Sequence, residues 1–177
     1  MHTGIQIRPI GPVALNFLLR MYNRFDPLGA ALGLPPIRTE ARRQWICEAL
    51  TRGANVAAFI PAGDVVGHCF LSQASPDSAE LAIFVHQDHR RQGAATSLIK
   101  AALALAAASG IRRVWSTTSP DNRPAVHLLF RCGFRPAAMA LEEIEMEIDL
   151  RESWPLDKWC TTIGKRDLSV ACEPALR

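Results

Sequence analysis

The stretch FVHQDHRRQGAATSLI, residues 84–99, decides how this chain is read. Phe84 and Val85 close an apolar run that opens as ELAIFVH at residue 80, and a polar segment with two arginines follows at once. After Gly93 the sequence turns apolar and alanine-rich. The spacing predicts a helix from Ala94 to Ser109 that stops at Gly110, a favourable residue just past a helix end. A strand, a glycine turn and a helix start, in this order, form a grip for an anion. The first amides of a helix have no internal partners, and the helix dipole is positive there. Gly93 lets the backbone approach closely. Ala94 and Ala95 keep side chains out of the way, Arg90 and Arg91 add charge beside Gln92, and Thr96 offers a hydroxyl. A pyrophosphate suits such a loop, although turns of this composition also occur that bind nothing. The loop is not a Walker loop, because GK[ST] is missing. Nor is it G-x-G-x-x-G, since Ala94 and Ala95 follow a single glycine.

Outward from this segment, short strands alternate with helices. IQIRP (5–9), NVAAFI (55–60), VVGHCFLSQ (65–73) and ELAIFVH (80–86) read as strands, the second and third joined by the turn PAGD. Pro12 to Phe25 is expected to be helical, with Val13, Phe17 and Met21 as a four-residue stripe. Thr39 is the expected cap of a second helix, Glu40 to Arg52, burying Trp45, Ile46, Ala49 and Leu50. Between these helices lies DPLGAALGLPP, residues 26–36, with no charge from Pro27 until Arg38; an apolar loop of this kind suits covering something. Downstream, IRRVWSTT (111–118) is a strand, and Asn122 or Arg123 opens a short helix that ends at Gly133. EIEMEIDL (143–150) alternates, with Ile144, Met146, Ile148 and Leu150 inward, and reads as a half-buried strand near the sheet edge. The order βααβββαβαβ, with room for one more strand, specifies an α+β (mixed α/β) domain around one sheet.

Composition bounds the alternatives. The 177 residues, 49% apolar and 21% charged, fit one domain over residues 1–150. A tail at 151–177 carries Trp154 and Trp159, suited to packing or a dimer contact. Disordered chains, collagens and disulfide-built miniproteins are excluded. No apolar run approaches the ~20 residues of a membrane span, and MHTGIQIRPI has no secretory core, so the cytoplasm is the expected compartment and no membrane partner is expected. A net charge of +3 is too small to indicate nucleic acid. The five cysteines form no CxxC and no His/Cys set with zinc spacing, so no metal is expected.

A second segment adds to the first. SPDNRPAVHLLFRCGF, residues 119–134, places Asn122 just after a strand and Gly133–Phe134 just after a helix. The two together resemble the GCN5-related N-acetyltransferase (GNAT) superfamily. That family's signature R/Q-x-x-G-x-G/A corresponds here to Arg90, Gly93 and Ala95. The preceding V-x-P-x-x-R corresponds to Val85, Gln87 and Arg90, with glutamine in the proline position. Its second signature, N-x-x-A-x-x-L-Y-x-x-x-G-F, corresponds to Asn122, Ala125, Leu128–Leu129, Phe130, Gly133 and Phe134. The likeness spans residues 5–150 by element order, and its specific motifs lie in 80–134. It implies a mostly antiparallel sheet splayed at a V-shaped acyl-CoA cleft. It also implies pyrophosphate on the amides of Arg90 to Thr96, pantetheine beside Ile83, Phe84 and Val85, and Asn122 and Phe130 against the cofactor arm.

The activity so implied is transfer of an acetyl group from acetyl-CoA to a primary amine of a small molecule or a protein, by direct attack in a ternary complex. A backbone N–H near Val85 would hold the oxyanion and Glu80 would take the amine proton, unless Glu80 is simply a solvated residue at a strand start. His86 and His89 are alternatives flanking the loop, and His68 reads as a satisfied core histidine. The family's thiolate-protonating tyrosine is Phe130 here, and the sole tyrosine, Tyr22, lies in the first helix. Either the thiolate leaves unprotonated or takes a proton from water, or Cys132, Ser119 or His127 substitutes, or the protein is a noncatalytic acyl-CoA-binding regulatory module. A nucleotide-binding domain of another kind lacks its glycine fingerprint and its ribose-binding acid. Glu142, Glu143, Glu145 and Glu147 form either a solvated strand face or an attractor for a cationic amine. The uncharged 26–36 loop, in a position that shapes the acceptor pocket in the family, implies an apolar or aromatic part on the acceptor.

Overall fold

The computed structural model describes residues 4–151. The strands are β1 (Gln6–Ile10), β2 (Gly53–Phe59), β3 (Val65–Ser75), β4 (Ser78–Val85), β5 (Arg113–Thr118), β6 (Arg135–Met139) and β7 (Ile144–Asp149). They form one sheet in the order β1-β2-β3-β4-β5-β7-β6, antiparallel throughout except for the parallel pair β4–β5. The helices are α1 (Leu15–Asn23), after a 3-10 turn at Pro12–Ala14, α2 (Thr39–Arg52), α3 (Ala94–Ala108) and α4 (Arg123–Arg131). Strand β7 therefore lies inside the sheet, and the edge belongs to β6. The sequence hid β6 because RPAAM has neither alternation nor β-branched residues.

Each face of the sheet carries its own core, because strand side chains alternate between faces. One face takes α3 and α4: Leu98, Ile99, Leu103 and Leu129 pack on Val56, Val66, Leu81 and Val114. Each large side chain so buried contributes roughly 1.5–3 kcal/mol. Gly67 lets α3 come close, since a Cβ there would lie 2.8 Å from Leu98 Cδ1. The opposite face takes α1 and α2, with Leu18, Met21, Tyr22 and Ile46 on Ala57, Phe70 and Phe84. Trp45 stands edge-on to Tyr22, Phe70 and Phe84, at 5.2 to 5.6 Å between ring centres.

Three local expectations are corrected. The buried stripe of α1 is Leu18, Met21 and Tyr22, not Val13 and Phe17; Val13 is 93% exposed, and Phe17 lies against Phe59 of β2, 6.3 Å between rings. Arg38, not Thr39, occupies the cap of α2, and no side chain caps it. Arg42, outside the expected buried side of α2, is buried. Its guanidinium donates to the carbonyls of Pro36 and Ile37 at 2.8 Å and to Asn23 Oδ1 at 3.0 Å. These five-donor geometries satisfy an arginine inside a helix-loop junction. The expected tail, 151–177, lies outside the described residues from 152 onward.

His68 is a satisfied core residue, as its position on a central strand implies. Asn55 Nδ2 donates to the carbonyls of Ala49 and Gly53, so Oδ1 accepts from His68 Nε2 at 2.9 Å, and Nδ1 accepts from Tyr22 OH at 2.9 Å. Burial drives its pKa down to about 3, so the ring stays neutral, and burial likewise pushes the Tyr22 phenol up.

Candidate active site

Strands β4 and β5 touch over only three residue pairs, Ser78 with Arg113, Ala79 with Val114 and Glu80 with Trp115, and then diverge. The backbone of β4 beyond Glu80 consequently loses its partner on that side. Its phase is fixed by the other side. His86 N donates to Val66 O at 2.9 Å, directly across an antiparallel pair, so hydrogen bonding to β3 falls on Phe84, Ala82 and Glu80. The N–H and C=O groups of Leu81, Ile83 and Val85 then point into the gap. Two of them are taken: Leu81 N–H completes the Glu80–Trp115 pair on β5, and Arg90 Nε donates to Val85 O at 3.1 Å.

The gap opens into a cleft of about 380 Å³. One side is Glu80 to Phe84 of β4, the other Ser116 to Thr118 of β5, and Asn122, Ala125, Leu128 and Leu129 of α4 close it. Ala31, Leu32 and Leu34 of the 26–36 loop and Glu143 also line it. Asn122 Oδ1 accepts from Ala125 N at 3.4 Å, capping α4, and its Nδ2 donates to Thr118 Oγ1 at 3.3 Å. Phe130 is not among the lining residues: it is 53% exposed, with the Arg135 guanidinium 4.4 Å from its ring centre. Glu80 is exposed, and partial desolvation, then the Glu145 charge, raises its pKa from the ordinary value. Glu147 is paired with Arg113 at 3.7 Å.

At the far end of β4, Gly93 caps α3 at φ +84°, and a Cβ built there would meet nothing within 4 Å. Arg91 has φ +61°, a conformation that costs a non-glycine residue energy and clusters where a loop must hold a special shape. Together they turn the chain into α3, whose first amides no side chain caps. Gln87 and Arg90 face the other way. Gln87 Oε1 accepts from Asp26 N at 3.0 Å, and its Nε2 donates to Arg24 O at 2.9 Å. Arg90 Nη2 donates to Asp26 O at 3.0 Å while its guanidinium covers the Phe25 ring at 5.6 Å. The glutamine in the proline position thus ties the start of the 26–36 loop to the β4–α3 turn.

A model of the acetyltransferase (GNAT) family matches residues 18–134 of the sequence. The chain belongs to that family. No match is found among curated proteins. Solved GNAT structures share the fold. One is spermidine N-acetyltransferase from Vibrio cholerae in complex with CoA and spermine, 17% identical over 86% of this chain and 99% of that one, with a TM-score of 0.71. The GNAT domain of S. lividans PAT is 20% identical over 81% and 89%, with a TM-score of 0.69. An N-acetyltransferase from Staphylococcus aureus Mu50 is 20% identical over 82% and 98%, with a TM-score of 0.67.

Within this GNAT fold, the residues singled out in the sequence fall into three places. Glu80, Ile83, Phe84 and Asn122 meet at the cleft. Arg91, Gln92, Gly93, Ala94, Ala95 and Thr96 form the turn and first residues of α3, and Val85 joins the two regions. His86 and His89 line a separate hollow of about 240 Å³ with Arg24 and Val65; His86 is 7% exposed and its Nε2 has no hydrogen-bond partner. Cys132 is buried at the end of α4, which pushes its thiol up, and His127 is exposed. Among the described residues no group of three or more His, Cys, Asp or Glu is placed to hold a metal ion, and no helix is long and apolar enough to cross a membrane. The sequence reading missed the Gln87 tie, the buried Arg42 and the individual loop residues that reach the cleft. Only Leu32-Gly33 carried a local signal, a glycine in a turn.

Proposed function

We propose that this GNAT chain moves an acetyl group from acetyl-CoA to a primary amine. The observation that carries this reading is the unpaired edge of β4 beyond its last pair with β5, with the Leu81 carbonyl and the amides of Ile83 and Val85 turned into the cleft. An extended arm bearing amide groups can pair with such an edge as an added strand does. Ile83, Phe84 and Val85 supply that edge, and the cradle from Arg91 to Thr96 offers amides that no side chain caps, a basic side chain and room at Gly93 for a pyrophosphate. Asn122 retains one N–H and one lone pair beyond its two bonds within the chain, so it can still meet the arm.

The chemistry needs a neutral amine beside the thioester. Its nitrogen lone pair attacks the carbonyl carbon, the C–N bond forms, and the Val85 N–H holds the developing oxyanion. The C–S bond then breaks. Glu80 accepts the proton leaving nitrogen, directly or through water, and its raised pKa makes it a better base than an ordinary carboxylate. The sulfur departs as thiolate and takes a proton from water, since a thiol of pKa about 8.5 is a tolerable leaving group. Phe130 has no proton to give and stands outside the cleft lining.

The test is release of free CoA from acetyl-CoA with pooled amines and lysine peptides, read by mass spectrometry. Release that depends on an acceptor supports the reading. Phe130 favours a second reading, a noncatalytic acyl-CoA-binding module; tight acetyl-CoA binding with no transfer to any amine would replace the first reading with it.

A further inference from the structure

The tip of the 26–36 loop combines an unfavourable conformation with an unfavourable residue. Ala31 and Leu34 exchange both backbone hydrogen bonds, at 3.1 and 3.0 Å, so Leu32 and Gly33 are the central pair of a two-residue turn. Both have positive φ, +52° and +84°, the signs of a type I′ turn. Such turns take Asn-Gly, Asp-Gly or Gly-Gly, because a Cβ with a branched side chain is strained at the first central position. Here a leucine stands there, 43% exposed.

The stem of the loop does not force this. It is held at one end by Gln87 and Arg90 on Arg24 and Asp26, and at the other by Arg42 on Pro36 and Ile37. Gly29 N adds a bond to Pro35 O at 2.9 Å across the base. An asparagine would fit the same fixed turn with less strain. What leucine adds is an apolar side chain at the cleft, beside Ala31 and Leu34 and across from Glu80 and Glu143.

We propose that Leu32 is a specificity-determining residue for the acceptor, and that the acceptor is a small primary amine with an apolar alkyl or aryl-alkyl body. Its nitrogen lies toward Glu80, and its apolar part lies under Leu32. This rests on the acetyl-transfer reading above and names the substrate class of the same site. A polyamine would also lay part of its chain against this apolar wall, with Glu143 beside Glu80 as its further carboxylate, so the comparison with spermidine decides between the two.

The experiment compares the full-length wild type with Leu32→Asn, using acetyl-CoA with 2-phenylethylamine, spermidine or a lysine peptide, alongside thermal melting. The wild type is expected to prefer 2-phenylethylamine by kcat/KM. Leu32→Asn is expected to lower that value about tenfold, the size of a lost apolar contact in a pocket. It is expected to leave spermidine within about twofold and to melt at the same or a higher temperature. A purely structural Leu32 would lower the melting temperature and all three acceptors alike, which overturns the proposal. So does a wild-type preference for spermidine or the peptide. If no amine is acetylated at all, the acetyl-transfer reading falls and takes this one with it, so the two failures are distinguishable.

Discussion

Two turns flank the cleft, and they bend the chain by the same device for opposite ends. The β4–α3 turn places Arg91 and Gly93 at positive φ, and the loop between α1 and α2 does so with Leu32 and Gly33. In the first, the bend clears side chains away, so the surface offered is backbone amide with space above Gly93. In the second, the bend pushes a side chain out, and the surface offered is apolar. An invariant chemical group such as a phosphate is matched by backbone, whose geometry does not depend on residue identity. A variable partner is matched by side chains. Under the proposed function, the pair divides recognition into a part any sequence with the right turn supplies and a part that belongs to this sequence.

Glu80→Gln tests whether the machinery between the two turns is chemical. Loss of a general base typically costs about 10²–10⁴-fold in rate, so kcat is expected to fall by at least about 10² while acetyl-CoA affinity holds. An unchanged kcat would reduce Glu80 to a solvated residue. Gly93→Trp addresses the backbone-built turn. Acetyl-CoA affinity by calorimetry is expected to drop by at least about tenfold, or 1.4 kcal/mol, with folding checked by circular dichroism. Affinity equal to wild type would put the phosphates elsewhere.

Gln87→Ala probes the link between the turns. With the bonds to Asp26 N and Arg24 O gone, the acceptor-side loop loosens, and the acceptor KM is expected to rise a few-fold, roughly 1 kcal/mol for a lost hydrogen-bond pair. Acetyl-CoA binding is expected to change less. Equal loss on both substrates would mean that the two turns act as one. The smallest effect is a shift in pH. Glu145 helps to hold Glu80 above the usual carboxyl range, so Glu145→Gln lets Glu80 ionise at lower pH. The acidic limb of kcat/KM is then expected to move down in pH, and a limb that moves up or stays would detach Glu145 from the base.

The backbone-built half was legible in the sequence and the side-chain-built half was not. The motif around Arg90, Gly93 and Ala95 and the one from Asn122 to Phe134 announced the fold, because close approach and capping demand particular residues at particular spacings. Asn122 indeed caps α4. The place of Glu80 at the cleft was legible because it lies on the strand that carries Val85. By contrast, the orientation of Arg90 toward Val85 O and Asp26 O depends on a contact between residues 64 apart in the chain. Nothing local encodes that. Arg42 illustrates the same limit: charge on a helix reads as solvent-facing until a loop folds over it with free carbonyls. Strand β6 escaped because an edge strand of this composition is held by its neighbour β7 and not by its own pattern.

The tie through Gln87 and Arg90 also bears on engineering. Acceptor loops are attractive cassettes to exchange between relatives of one fold, on the premise that each half of the site is a separate module. Here the loop's first residues are fastened to the β4–α3 turn, the cradle proposed for the phosphates. A foreign loop spliced in at position 26 would inherit anchors shaped for another backbone, and a graft that keeps its intended shape must carry positions 87 and 90 with it. The exchangeable unit in this protein is discontinuous in sequence, two short stretches wide.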